Sequence, residues 1–254
     1  MKKLLALAFV MCSLGIANAQ IVRSTTFNKV PKEKTKTTWY VRAGVSLNNM
    51  TGEGRSNLMK EIKDEGELAD GEKAGFTTRA GYDFEVGFKK NFGKSDMYWG
   101  MQLGFGTRGG GFVHKYYGRY YGDKVELKET SDLDLYTIKY TPFQFGYMYP
   151  INEDISLDAH LGVFLSFDLG GSMKDKDIVD GKVEDDWKYS YGETDCVPFD
   201  AGMQLGIGAW YKKFNLDVSW QRGFVKMVGD FPYNDDNFGD IKSSNFVIAL
   251  GYAF

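Results

Sequence analysis

Between Ile155 and Leu169 every second residue is apolar: Ile155, Leu157, Ala159, Leu161, Val163, Leu165, Phe167 and Leu169. Between them stand Ser156, Asp158, His160, Gly162, Phe164, Ser166 and Asp168. Successive side chains of a strand leave on opposite faces, so a period of two is strand. The run also exceeds the roughly 9–11 residues with which a tilted strand crosses a bilayer. The alternation recurs along the chain and sets apolar positions at Trp39–Leu47, Phe76–Phe88, Met97–Phe105, Leu135–Tyr147, Val197–Tyr211, Phe214–Phe224 and Phe246–Phe254. In the fourth strand the phase slips between Tyr140 and Phe143. A bulge at Pro142 would absorb one residue and the missing N–H.

The connections alternate in length. Residues 91–96, 150–154 and 212–213 are short turns; 48–73, 109–134, 170–195 and 226–243 are long and polar. About eight antiparallel strands with short turns on one side and long loops on the other is the pattern of an up-and-down transmembrane barrel, with periplasmic turns and extracellular loops. After residue 20 no Ala/Leu/Glu-rich helical segment stands out. No apolar run there reaches the roughly 20 residues of a membrane helix.

Alternation does not say which face points outward, because a soluble eight-stranded barrel alternates too and buries its apolar face. Volume decides. The apolar face carries Trp39, Phe84, Trp99, Phe143, Phe145, Trp220 and many other large side chains. An eight-stranded interior only just holds ordinary side chains. The polar face is rich in glycine and suits a narrow lumen. The apolar face must therefore meet lipid. Its aromatics gather at strand ends, Trp39, Phe88, Trp99, Tyr147, Tyr211, Phe214 and Tyr252 near one rim, and Phe76, Phe105, Phe167, Phe199, Phe224 and Phe246 near the other, as interfacial girdles.

The first residues read as a secretory signal: Lys2 and Lys3, an apolar stretch from Leu4 to Ile16, and the small-residue site Ala17-Asn18-Ala19. The expected organisation is a signal peptide over 1–19 cleaved near Ala19, a flexible periplasmic segment over 20–37, and a barrel domain over 38–254. Cleavage removes two of the 31 basic residues and none of the 34 acidic ones, so the mature chain is net negative. That opposes a nucleic-acid partner, which needs a basic footprint. It also leaves Cys196 alone, too little for a disulfide or a cysteine-based zinc site. The acidic loops match no EF-hand spacing. Neither a metal nor a cofactor is expected.

The lumen-facing positions collect charge. Arg42, Arg79, Lys89 and Arg108 stand against Asp83, Glu85, Asp158, Asp168, Asp200 and Asp217, with His160 among them. Arg42 and Glu85 lie at similar height on neighbouring strands and are expected to pair. Such a network plugs the barrel; a narrow, slightly cation-preferring leak is the other reading of the same charges. His160 as a general base has no obvious serine partner. In the second long loop, Gly109 to Gly122 forms an aromatic and basic strip that would be a protruding hairpin if the strand continues past the membrane.

The last strand, Asn245 to Phe254, resembles the C-terminal signal that the barrel-assembly machinery reads in outer-membrane barrels, at Phe246, Ile248, Leu250, Tyr252 and Phe254. From about Thr38 onward the chain resembles the small OmpA-like and PorT-like barrel families, with Tyr140 to Tyr147 matching the proline-containing strand of the latter. The resemblance implies residence in the outer membrane, with its lipid, lipopolysaccharide and the assembly machinery as partners. The expected function is non-enzymatic: a plugged lumen, with surface loops for an extracellular or envelope ligand. A narrow porin-like channel, a PorT-like accessory of secretion and a lipid-modifying enzyme stay open as alternatives.

Overall fold

The computed structural model describes residues 37–64, 73–93, 95–120, 123–194, 196–227 and 240–254. The expected signal peptide and nearly all of the expected periplasmic segment lie outside them. Strand β1 (Thr37–Thr51) leads to a helix α1 (Glu53–Asp64). There follow β2 (Lys73–Thr77), β3 (Arg79–Asn91), β4 (Met97–Tyr120), β5 (Asp123–Pro150), β6 (Ile155–Val179), β7 (Lys182–Ser190), β8 (Phe199–Tyr211), β9 (Phe214–Gly223) and β10 (Lys242–Ala253). Eight of them close an antiparallel ring in the order β1-β3-β4-β5-β6-β8-β9-β10 and back to β1. The closing seam pairs Tyr40 with Ala253 through Thr51 with Lys242. Closure pairs both edges of every ring strand, as a spanning structure without water must.

The faces are inside-out relative to a soluble barrel. Phe143 is 59% exposed and Leu250 69%, while Arg42 and Asp200 are buried at 3% and 0%. The expected rim aromatics Trp39, Phe88 and Trp99 pack in sequence, with ring centroids 5.2 and 5.3 Å apart. At the other rim Phe167 and Phe199 pack at 5.1 Å. The bulge at Pro142 is present: on both sides of β5 the register gains one residue between Tyr140 and Phe143 or Gln144.

Three expectations need correction. The second strand is broken at Thr78. Its upper piece, β2, pairs among the described residues with β4 alone, and Phe76 leaves the outer girdle to pack edge-on against Phe112 at 5.3 Å. The first long loop contains α1, whose Arg55 guanidinium lies 5.3 Å over the Phe76 ring. The third long loop is a hairpin: β6 runs on to Val179 and turns at Asp180-Gly181, both at positive φ (47° and 77°), into β7. Asp-Gly is the dipeptide that a two-residue hairpin turn prefers, because both central positions need positive φ.

Above the ring, β2-β4-β5-β6-β7 therefore form a five-stranded antiparallel sheet that continues one part of the barrel wall. The polarity of the strands inverts where they leave the membrane. On β5, Lys139 and Thr137 face inward and Ile138 and Tyr136 outward; one step higher, Leu135 and Leu133 are buried inward and the alternate positions are Asp134 and Asp132. Lipid requires apolar side chains on the outer face, and water requires polar ones there, so the inversion marks the outer membrane boundary near Tyr136.

Candidate functional site

The lumen is filled in layers. At the periplasmic end Lys89 Nζ is ion-paired with Asp158 and sits 4.5 Å from the Tyr98 ring, 4.8 Å from Trp210 and 5.6 Å from Tyr40. Asp158 also accepts hydrogen bonds from the Tyr98 hydroxyl (2.7 Å) and Trp210 Nε1 (3.3 Å). An ammonium in an aromatic cage with a carboxylate at its head is a buried charge with its counter-charge in contact. Room for these rings comes from glycine: a Cβ on Gly146 would stand 2.3 Å from the Tyr98 ring.

In the middle layer Arg42 and Glu85 are register partners. Arg42 donates to Asn215 Oδ1 (2.9 Å) and stands 3.1 Å from Asp217 and 3.7 Å from Glu85. Lys139 bridges Asp83 (2.7 Å) and Glu85 (3.3 Å) and donates to Gln221 (3.2 Å). A chain of amides crosses the bore: Gln204 donates to Gln102 (2.9 Å), which donates to Tyr40 Oη (2.8 Å) and Gln144 (3.1 Å). In the upper layer Arg108 grips both oxygens of Asp168 (2.7 and 2.8 Å) and reaches Asp200 at 3.2 Å, with Ser243 donating to Asp200 at 2.6 Å. Such a bidentate fork is the strong form of this pair. Above it Met50, Leu133, Leu135, Met227 and Ile241 close the mouth with an apolar cluster.

Of the residues expected in the lumen, Arg42, Asp83, Glu85, Lys89, Arg108, Asp158, His160, Asp168, Asp200 and Asp217 line it. Arg79 does not. It lies a third exposed above the ring, donating to Asp132 (2.7 Å) and Asp134 (2.9 Å) of β5. It keeps the lumen parity of β3, opposite Asn48, but stands above Asp83, the last residue of β3 paired with β4, so its guanidinium reaches past β4 to the carboxylates of β5. Lys139, Tyr40, Tyr98, Gln144 and Trp210 were missed. Their signal was parity: each falls between two lipid-facing residues, as Lys139 does between Ile138 and Tyr140. A search for apolar alternation passes over a lumen-facing aromatic.

Asp158, His160 and Asp217 place one ligand atom each within 4.8 Å of one another. His160 Nδ1 stands 3.9 Å from Asp158 and 3.8 Å from Asp217 and, among the described residues, has no hydrogen-bond partner. The donor set suits a divalent metal by type, but the charges do not. Asp158 is already held by Lys89 and Asp217 by Arg42, and both cations would repel a metal at this distance.

Residues 19–229 match the family model described as outer membrane protein beta-barrel domain. No curated protein matches the chain. Among solved structures it is similar to Neisserial surface protein A, at 12% identity over 86% of this chain and 99% of that one, with a TM-score of 0.37. It is also similar to Ail of Yersinia pestis (13% identity, 86% and 99% covered, TM-score 0.30) and OprG of Pseudomonas aeruginosa (12% identity, 88% and 98% covered, TM-score 0.30).

Proposed function

From the premise that the chain belongs to the outer membrane protein beta-barrel domain family and resides in the outer membrane, we propose that it is a closed, non-enzymatic barrel that acts through its extracellular sheet. The observation that carries this reading is the sheet itself. Strands β4, β5 and β6 run to 24, 28 and 25 residues, far beyond the roughly 9–11 that cross a bilayer. Ordering that much backbone outside the membrane costs conformational entropy that a passive anchor would not need to spend. The edge strand β7 is exposed along its whole length.

Two further observations support closure and the absence of catalysis. Each of the four cations of the bore, Arg42, Lys89, Arg108 and Lys139, is held by at least one of its carboxylates, and apolar or aromatic side chains cap both ends. The lumen histidine and carboxylates are sealed from either aqueous side, where no substrate reaches them.

Refolded protein in a planar bilayer tests this reading, with a heat-modifiable gel shift to confirm folding. A silent membrane is the expected result. Steady, reproducible conductance steps would mean that the charges line a path, and the porin-like alternative would replace this one.

A further inference from the structure

The face of the extracellular sheet that continues the lumen side differs in chemistry from its back. Cross-strand register puts Phe112, Asp175 and Trp187 in one row and His114, Glu129, Asp177 and Asp185 in the next row on that face. A lower row on the same face holds Leu133, Met173 and Tyr189, of which Leu133 and Met173 join the apolar cluster at the mouth. Across β5, β6 and β7 the face is thus aromatic and acidic, with Trp187 43% exposed on it, while the Arg55 guanidinium lies over Phe76 at its β2 edge.

The back of the sheet neutralises itself: Lys115 pairs with Glu126 at 2.6 Å, Lys176 with Asp186 at 3.0 Å, and Arg79 with Asp132 and Asp134. On the lumen-side face, among the described residues, none of Glu129, Asp175, Asp177 and Asp185 has an ion-pair partner. Glu129 accepts a hydrogen bond from Tyr116 (2.8 Å), and Asp175 Oδ1 is buried without any partner. Three carboxylates stand directly opposite one another across β5, β6 and β7, an arrangement that repels itself. Partial burial, with Glu129, Asp185 and Asp175 beside it, raises the Asp177 carboxyl above its ordinary range. A cation laid along this row would relieve the repulsion, and the neighbouring rings would hold it by cation–π contact.

Deepening the functional reading above and resting on it, the geometry points to this face as the binding surface for an extended cationic peptide segment with lysine or arginine at every second position. That spacing is required because only alternate side chains of an extended segment point at one face. The charge of the face excludes an acidic polymer.

The test uses full-length protein refolded in zwitterionic detergent and a fluorescein-labelled nonapeptide alternating lysine with phenylalanine, read by anisotropy. The glutamate counterpart of the peptide and empty micelles are the controls. The lysine peptide is expected to bind and the glutamate peptide not to. Asp177→Asn with Asp185→Asn should weaken binding about tenfold, and Trp187→Ala about fivefold, in variants that still show the heat-modifiable shift. Equal binding of both peptides, equal binding to empty micelles, or unchanged affinity in the variants overturns the inference. If the peptide fails to bind a barrel that is silent in bilayers, only this inference falls. Conductance by the same sample removes the functional reading itself.

Discussion

Lys89→Ala is expected to lower the stability of the folded barrel by about 3–5 kcal/mol, the cost of leaving a buried carboxylate without its counter-charge. Lys89 and Asp158 are sealed beneath Tyr40, Tyr98 and Trp210, so no solvent enters to replace the ammonium. Lys89→Met combined with Asp158→Asn should recover most of the loss, because it removes both charges at once and keeps the volume. Urea unfolding in lipid vesicles, followed by tryptophan fluorescence, measures both. A single variant that costs less than about 1 kcal/mol would fall in the range of solvent-exposed pairs, and would show that water reaches the lumen floor, contrary to a closed bore.

The second large effect concerns the outer face. Leu205 lies midway along β8 and is half exposed to what must be lipid. Leu205→Arg should cost about 2–4 kcal/mol in a bilayer, the depth-dependent penalty for a charge at the midplane of a membrane strand. The same substitution would be nearly neutral if that face met water, where surface changes stay within about ±0.5 kcal/mol. Equilibrium folding into vesicles gives the number. A smaller third effect follows from the extracellular sheet: Asp177→Asn should stabilise the fold at neutral pH by about 0.5 kcal/mol, since like charges directly opposite on neighbouring strands are destabilising. The sign agrees with the raised Asp177 carboxyl. A raised acid binds its proton more tightly when folded, so its ionisation above that range disfavours the fold, and acidification through it restores the loss. Denaturation at pH 5 and pH 8 should therefore show the benefit of the substitution shrinking at the lower pH.

The alternation over 155–169 and its repeats determined the strands of the ring, because period two survives whatever the strand packs against. The count of large aromatics determined which face meets lipid, because an eight-stranded interior has no volume for them. Even the slip at Pro142 was legible, since proline cannot donate to the ladder. Parity brought most of the lumen charges to one face.

What lay beyond the membrane was not legible in the same way. The rule that read the ring, apolar outward, reverses where lipid gives way to water, so Asn48–Lys73 and Gly170–Asp195 looked like loops although one contains α1 and the other most of a hairpin. Asp180-Gly181 was a local signal for that hairpin, masked by the charge of β7. Arg79 was assigned by parity to the lumen and keeps that parity, but β3 has parted from β4 at its height, and its guanidinium is taken by Asp132 and Asp134 of β5. The sequence alone determined a membrane barrel and the inventory of its faces. Only the tertiary structure decided which charges meet, that both ends of the bore are capped, and that three strands continue upward as a sheet, because those depend on register across strands far apart in the chain.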